Sequence, residues 1–433
     1  MNSVSITQRD PSSYAGSYEI LKAELFSNNN NDNSIDIRRI INKITIRESL
    51  YRAGIGVEIR IDDGINLLDN IKLLGNEKIF LEIVQQGKDQ SLEKKFSIEL
   101  YISNVTDFSR PKPGLDAYSL ICVSKHVYLN QFTILGDGFQ STVGKNIENI
   151  LTSHLGFESN SKLMDIYDGG GEIKGVYPSL KPIEAIVFQK EASSEYLYFY
   201  QTIKGNVYLS AHTDLLKKDI IGEYTTSPYY NNALGDVENY KEQQKKVLKF
   251  SSDLDISKLK AVSNGVYSSE SDNIDISLKT YERPPSAISK ERLNKGPSNS
   301  RKNTFFEFEN KPQSRRYTAA INSKAYGNKS NYHVNHSSIP NNESYKHDLN
   351  THKARISVYG NIDISVGNTL QLNVPPTGIA EVDQSLDQYF TGKYLITDII
   401  HTFTNEYIQD MVIKKDSFIV DTDNNMIEIE RKA

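Results

Sequence analysis

Residues 55–64, IGVEIRIDDG, decide the fold, because apolar side chains at 55, 57, 59 and 61 share one parity. Glu58 and Arg60 occupy the other parity, and Asp62-Asp63-Gly64 follows as a turn signal. A period of two indicates a strand with one face packed and the other in water. The same pattern recurs at 79–83 and 96–102. The first hundred residues therefore predict a compact antiparallel β unit, a barrel or a sandwich.

Two polar stretches interrupt this pattern. The tract Asn28–Asn33 lies between strand-like runs, so we predict a loop there. Arg110-Pro111-Lys112-Pro113-Gly114 is rich in conformational breakers and indicates a domain boundary.

An α/β texture follows that boundary. Apolar residues at 143, 147, 150 and 151 predict an amphipathic helix, with Ser141 or Thr142 as its N-cap and Gly156 as a left-handed cap after its end. A second helix is expected from about 183 to 193, after the segment Pro178–Pro182. Strands are expected at 196–202 and 207–210, joined by the turn Lys204–Asn206. These elements predict a small α/β domain.

The rest of the chain returns to strand-like texture at 237–278 and is then interrupted by a basic stretch. Residues 284–352 hold 11 Lys plus Arg against 5 Asp plus Glu, a local charge of about +6, and are rich in Asn, Ser, Gly and Pro. We predict long loops or a poorly cored insertion there. The remaining predicted strands lie at 356–366, 370–374, 394–400, 407–413, 418–420 and 427–429, with a hairpin turn at 421–425.

The predicted fold class is therefore mainly β, with two similar antiparallel β-barrel domains, an inserted α/β domain and a polar, loop-rich insertion. The predicted domains are 1–110 for the first barrel, 111–235 for the α/β domain, whose end can return strands to the first barrel, 236–285 with 353–433 for the second barrel, and 286–352 for the insertion within it.

Composition excludes several classes of protein. The chain has 433 residues, 50 Lys plus Arg and 55 Asp plus Glu, and its net charge of -5 argues against a strongly basic nucleic-acid binder. The single cysteine, Cys122, excludes an internal disulfide framework, and its apolar neighbours indicate a small buried hydrophobe. Apolar runs are far shorter than the roughly 18 residues that span a bilayer, and the polar start lacks a signal peptide. We predict a soluble protein made in a cytoplasm.

No catalytic motif stands out. Residues Gly138–Asn146 end in Gly144-Lys145-Asn146, but a phosphate loop needs four residues between its glycines and a hydroxyl after its lysine. A turn that leads into a helix explains the stretch better than a nucleotide site. There is no Gly-x-Ser-x-Gly elbow and no His-Glu-x-x-His helix, so we expect no enzyme, no catalytic residue and no cofactor.

The histidines are ambiguous by sequence alone. His333, His336, His347 and His352 could gather a metal, although solvated loop histidines are the preferred interpretation in so polar a segment. His401 lies in a strand-like run, and we interpret it as a residue on the polar side of a sheet or at an interface rather than as a catalytic group.

Aromatic residues are interleaved with lysines and arginines in the basic stretch, a composition that could bind single-stranded nucleic acid. We favour a loop that is solvated, or that becomes ordered against an acidic neighbour in an assembly. The aromatic residues are Phe305, Phe306, Phe308, Tyr317, Tyr326 and Tyr332.

Three parts of the chain, in this order and spacing, resemble the central hub proteins of contractile phage tails. That family includes the baseplate hub of T4-like phages, which is the nearest match, the late-control proteins of other phages and the spike base of type VI secretion. The resemblance covers most of the chain outside 286–352. The first part lies within Ile44–Ile83 and contains Thr45–Ser49, Val57–Gly64 and Leu73–Glu77. The second part is Ile147–Leu151, Tyr177–Pro182 and Asn206–Ser210. The third part is Val358–Gly360, Val366–Leu370 and Ser385–Thr404, which includes Gly392–Thr397 and His401–Phe403.

The resemblance implies a homotrimer, in which two barrels per chain make a pseudo-six-fold ring. Such a ring would join a three-fold central spike to a six-fold tail tube or tube-initiator protein, and it would contact other baseplate proteins. DNA would pass through its lumen without specific binding, and a net acidic chain suits a wall that repels phosphate. The implied location is the virion tail baseplate, assembled in the cytoplasm of a bacterial host.

The alternative is a carbohydrate-binding or peptidoglycan-acting tail protein. Such a protein would hold a glycan between exposed aromatic side chains next to a pair of carboxylates. The chain has no Trp, although its 26 Tyr could supply the stacking surface.

Overall fold

The computed structural model describes residues 15–27, 30–71, 73, 75, 77–85, 94–159, 161–169, 172–226, 243–254, 263, 269–283, 299, 315–321, 339–375, 386–387 and 389–417. Its strands are β1 Tyr18–Ser27, β2 Asn30–Asp36, β3 Ile41–Ser49, β4 Gly56–Asp63, β5 Lys78–Gln85, β6 Lys94–Lys112, β7 Leu115–Ser124, β8 Gly138–Thr142, β9 Met164–Ile166, β10 Glu172–Val176, β11 Leu197–Gln201, β12 Val207–Ala211, β13 Ile220–Thr225, β14 Val247–Leu254, β15 Ser269–Asp275, β16 Thr280–Glu282, β17 Arg315–Ile321, β18 His352–Tyr359, β19 Thr369–Asn373, β20 Gly392–Phe403 and β21 Tyr407–Lys415. The helices are α1 Leu67–Ile71, α2 Lys125–Leu129, α3 Val143–His154, α4 Pro182–Ala192, α5 His212–Lys217 and α6 Ile339–Thr351, with a 3₁₀ turn at Arg38–Ile40.

One sheet of 13 strands runs through most of the described chain. Its hydrogen-bonded order is β14-β18-β21-β20-β3-β4-β7-β6-β5-β1-β2, and β19 branches from β20 to pair with β13. Three smaller sheets contain β8 with β10, β9 with β11 and β12, and β15 with β16 and β17. The predicted fold class, mainly β with an α/β part, is confirmed. None of the described helices is long and apolar enough to cross a membrane.

We call β1–β7 the first β unit, α2–α5 with β8–β12 the α/β unit, and β13, β14 and β18–β21 the second β unit. A buried apolar cluster is centred on each unit, but two of the clusters cross unit boundaries, since Tyr407 of β21 packs in the cluster of the first β unit and Tyr200 of β11 packs in that of the second. In β4 the alternation predicted from the sequence is confirmed, because Val57, Ile59 and Ile61 are buried while Arg60 is exposed.

The strands of the second β unit pair in one continuous series. β13 pairs with β19, β19 with β20, β20 with β21, β21 with β18, and β18 with β14. The end of β13 then meets the start of β14, where Thr225 N donates to Lys245 O at 3.0 Å and Thr225 bridges to Lys246. Closure of either β unit into a barrel stays a prediction.

The caps predicted for the helix at 143–151 are confirmed. Thr142 is the N-cap of α3, and its Oγ1 accepts a hydrogen bond from Lys145 N at 3.3 Å. Gly156 follows the helix with a φ of 74°, a left-handed conformation that suits a residue without a Cβ. The second predicted helix and the two strands after it correspond to α4, β11 and β12.

Three local predictions differ from the structure. The tract Asn28–Asn33 is not a loop throughout, because β2 starts at Asn30 and uses its backbone groups to pair with β1 whatever its side chains are. The breaker-rich stretch Arg110–Gly114 is no domain boundary but the end of β6 and the two-residue turn into β7, with Gly114 at a φ of 79°. Residues 362–366 are not a strand, although Ile362, Ile364 and Val366 are buried. The strands predicted at 418–420 and 427–429 and the turn at 421–425 lie outside the described residues.

Candidate functional site

One strand, β20, belongs to both β units. Its first residues, Gly392–Leu395, pair with β19 of the second unit, and its last six, Asp398–Phe403, pair with β3 of the first unit. On its other edge β20 pairs with β21, with a bulge between Ile396 and Asp398. Backbone hydrogen bonds therefore couple the two β units directly, and we take this junction as the candidate functional site.

Glu48 of β3 lies at the centre of the junction and is only 2% exposed. Its Oε1 accepts a hydrogen bond from Ile203 N in the β11–β12 turn of the α/β unit. Its Oε2 accepts from Val366 N at 3.0 Å, in the segment that precedes β19. A buried carboxylate is costly unless such donors replace its water. Glu48 therefore holds segments from all three units in one place.

His401 of β20 continues the polar network on the other side of Glu48. Its Nε2 lies 3.5 Å from Glu48 Oε1, and its Nδ1 lies 2.8 Å from Tyr407 Oη. Gln409 Nε2 donates to Tyr407 Oη at 3.1 Å and to Asn361 O at 3.0 Å, and Asn361 N donates back to Gln409 Oε1 at 3.0 Å. His401 is fully buried, so it does not lie on a solvated side of the sheet, and its interpretation as an interface residue stays a prediction.

Residues 360–368, which we call the 360–368 segment, connect β18 to β19 and contact every unit. Gln85 of β5 is buried, and its Nε2 donates to Gly360 O at 2.6 Å while its Oε1 accepts from Ile362 N at 3.1 Å. These two bonds give the segment the backbone partners that a strand neighbour would otherwise supply. This explains why three alternating apolar residues can be buried here without forming a strand.

Asp363 of the same segment forms ion pairs at the surface. Its two carboxylate oxygens lie 2.6 Å from Lys94 Nζ of the first β unit and 2.9 Å from Lys204 Nζ of the α/β unit, and its side chain is 41% exposed. Partial desolvation would raise the pKa of Asp363, but the hydrogen bonds and charges of both lysines outweigh it and hold the pKa below its usual value.

Two glycines allow the 360–368 segment to approach aromatic rings. A Cβ on Gly360 would lie 2.1 Å from the ring of Tyr407, and a Cβ on Gly367 would lie 2.4 Å from Tyr200 Oη of the α/β unit. Gly367 also has a φ of 80°. Both positions therefore exclude a larger side chain. At Gly360 the contact with the ring excludes it, and at Gly367 both the contact and the backbone conformation do.

The stretch Gly138–Asn146 forms β8 and the first turn of α3. Lys145 Nζ lies 4.0 Å from Asp168 Oδ2, and a Cβ on Gly144 would lie 2.3 Å from Tyr167 O. The stretch pairs as a strand with β10 rather than wrapping around a phosphate, in agreement with the interpretation as a turn and helix start.

The other described residues that were considered from the sequence do not form a common site. His347 lies in α6 and His352 starts β18, where burial, with a smaller contribution from Lys415, lowers the pKa of His352 to about 3. No group of three metal-binding side chains is present in the part of the chain that the structure describes. Cys122 is buried, as predicted, and burial raises the pKa of its thiol to about 12. Tyr317 lies in β17; outside the described residues are His333, His336, Phe305, Phe306, Phe308, Tyr326 and Tyr332.

Sequence reasoning did not single out Glu48, Gln85, Asn361 or Gln409. One signal was available for Glu48, because it shares the parity of Ile44 and Ile46, the inward-facing residues of β3. A charged residue at an inward-facing position indicates a buried polar network.

No protein-family model and no curated protein sequence matches this chain. Among solved structures, the chain is similar to the tail protein from Neisseria meningitidis MC58, with a TM-score of 0.51, 8% identity, and coverage of 92% of this chain and 97% of that one. It is also similar to the 43 kDa tail protein of prophage MuSo2 from Shewanella oneidensis, with a TM-score of 0.50, 11% identity, and coverage of 93% and 100%. At these identities the likeness concerns the fold, and the resemblance to tail proteins is confirmed at that level.

Proposed function

We propose that this chain is the structural hub of a contractile phage tail baseplate. Three copies would form a pseudo-six-fold ring, because each chain supplies two β units. The observation that carries the proposal is β20, which unites two β units in one continuous sheet. The fold shared with two tail proteins over more than nine-tenths of the chain supports it.

A ring that joins a three-fold spike to a six-fold tube needs its six units at fixed positions. Shared backbone pairing along β20, together with the buried bonds of Glu48, would fix the two units of one chain relative to each other. The three buried apolar clusters support a division into domains, and the side chains that two of them share with a neighbouring unit would hold the domains together. Contacts between chains then have only to position three rigid bodies.

The proposed partners are two further copies of the chain, the central spike, the tail tube or its initiator, and other baseplate proteins. DNA would pass through the lumen of the ring, and the net charge of -5 would disfavour its retention. In this proposal the chain has no catalytic role. Its place is the virion tail baseplate, after assembly in the cytoplasm of a bacterial host.

Native mass spectrometry over a concentration series tests the proposal. We expect a species of three times 49.0 kDa, either for the chain alone or after the spike protein is added. A control sample in high salt separates specific trimers from weak electrostatic clusters. A monomer at every concentration, with and without the spike, would contradict the hub.

A further inference from the structure

A cleft of about 330 Å³ lies where the α/β unit, β21, α6 and the loop after β3 meet. Its walls include three tyrosines whose rings contact one another edge to face. Tyr198 lies between the other two, with ring centroids 6.0 Å from Tyr51 and 4.9 Å from Tyr196. Tyr51 is 49% exposed whereas Tyr198 is buried, so the aromatic wall is open to solvent at Tyr51.

Lys414 of β21 extends into this cleft although it is only 8% exposed. Its Nζ donates to Tyr51 Oη at 3.1 Å and to Asn350 Oδ1 of α6 at 2.7 Å, and it lies 5.0 Å from the centroid of the Tyr51 ring. Desolvation lowers the pKa of its ammonium group, while the more distant charge of Asp398 opposes this effect. Among the described residues no carboxylate lies within 4.0 Å of Lys414 Nζ.

A second lysine stands at the rim. Lys346 Nζ of α6 lies 5.6 Å from the ring centroid of Tyr196 and 2.6 Å from Glu343 Oε1. Lys190 of α4 is close enough for the charge of Lys346 to lower its pKa, in addition to the larger effect of burial. The rim cation thus has an ion partner within the chain, whereas the partners of the inner cation among the described residues are neutral.

A nearly buried ammonium group has lost much of its hydration, and without an ion partner no adjacent negative charge compensates for that loss. A lysine has three N–H donors, and two of those of Lys414 are used by neutral oxygens. A carboxylate that entered the cleft could accept the third, and its apolar stem would lie against the tyrosine rings.

We propose that the tyrosine-lined cleft binds a carboxylate side chain, Glu or Asp, of a partner protein, with Lys414 as its counter-ion. A partner side chain fits better than an acidic sugar, because ammonium groups already lie over the rings of Tyr51 and Tyr196. A sugar ring would have to stack on the same ring faces that the ammonium groups cover. Among the described residues that line the cleft, Asn350 alone carries a side-chain amide. The inference does not depend on the proposed hub function, because carboxylate binding can be measured on the isolated chain.

The probes are a blocked peptide Gly-Glu-Tyr-Glu-Gly, its Gln-for-Glu analogue and free glucuronate. Calorimetry at millimolar concentrations measures binding, and a carbodiimide, which joins a carboxylate to a nearby amine, identifies the lysine by mass spectrometry. We expect the acidic peptide to bind at least about tenfold more tightly than the neutral analogue and to cross-link at Lys414 or Lys346. Stronger binding of glucuronate than of the peptide would overturn the choice of a protein ligand.

Lys414→Met keeps an apolar stem of similar length and removes the charge, so we expect it to lower the affinity for the acidic peptide about tenfold. Lys346→Met should weaken the peptide less, and because Lys346 is exposed the variant should fold normally. Lys95→Met is the matched control, since the Lys95 side chain is 70% exposed and lies in the first β unit. Equal binding of the acidic and neutral peptides, or equal cross-linking at Lys95, would overturn the site.

Discussion

Glu48 and Asp363 each hold the first β unit, the α/β unit and the second β unit together, but one carboxylate is buried and the other is exposed. Glu48 does so through two backbone N–H groups, and Asp363 through two lysine side chains. Exposed ion pairs contribute about 0–1 kcal/mol, because water and salt screen them. Removal of a buried acceptor leaves donors without partners, which costs several times more. The comparison therefore predicts that the free energy of unfolding depends far more on Glu48 than on Asp363.

The largest effect is expected for Glu48→Ala. The substitution removes the acceptor of Ile203 N and of Val366 N and leaves a cavity beside His401. We expect the free energy of unfolding to fall by about 3–5 kcal/mol, measured by urea titration with circular dichroism. A loss below about 1 kcal/mol would show that water replaces the carboxylate, and the contrast with Asp363 would disappear.

His126 extends the comparison to a buried group that is neutral. Its Nε2 lies 2.8 Å from Ala53 O, and burial, which outweighs this hydrogen bond, lowers its pKa to about 4. The pKa of His126 in the folded protein is below its unfolded value of about 6.5. The contribution of the neutral imidazole to the free energy of unfolding is therefore fully present above pH 6.5 and is lost as the pH falls toward 4.

The pH dependence is tested with His126→Gln, whose amide can still donate to Ala53 O. Between pH 7 and pH 4 we expect the variant to lose about 2–3 kcal/mol less stability than the parent protein. Parallel curves of unfolding free energy against pH for the two proteins would exclude His126 as a source of acid lability.

Gly360→Ala tests how tightly the 360–368 segment is held against β21. Because the new Cβ would overlap the ring of Tyr407, we expect a loss of about 2 kcal/mol in urea titration. Gly56→Ala is the matched control in β4, where a Cβ would meet nothing within 4 Å. Equal stability of the two variants would mean that the 360–368 segment moves away from Tyr407 without a loss in the free energy of unfolding. The hydrogen bonds of Glu48 would then not depend on the position of this segment.

The smallest effect is expected for Asp363→Asn, which removes both surface ion pairs while the backbone is unchanged. We expect a loss below about 1 kcal/mol at low salt and a smaller one at 1 M NaCl, measured by the same titration. A loss as large as that of Glu48→Ala would refute the difference between the two environments.

Periodicity predicted the described strands well where one face is buried, as in β4. It was wrong at Ile362–Val366, because alternating apolar residues can also be buried in a segment whose backbone bonds go to Gln85. It also missed β2, since backbone pairing with β1 does not require apolar side chains. Periodicity assigns residues to faces of a strand, and it carries no information about which distant strands meet.

The candidate site was less predictable for the same reason. Glu48 and His401 are 353 positions apart in the chain, and only the pairing of β3 with β20 brings them together. The sequence could suggest an interface position for His401, but its partners depend on tertiary structure. An acidic residue at an inward-facing position, as at Glu48, was the one local signal of the network.

The pairing of β20 with β3 also determines how the molecule would respond to mechanical force. Six consecutive residue pairs, from Asp398 with Ser49 to Phe403 with Ile44, connect the two β units along antiparallel strands. A pull along the strand axis would load all of these pairs together in shear, whereas a pull across the strands would break them one after another. The first β unit and the second β unit would thus resist sliding apart far better than peeling apart.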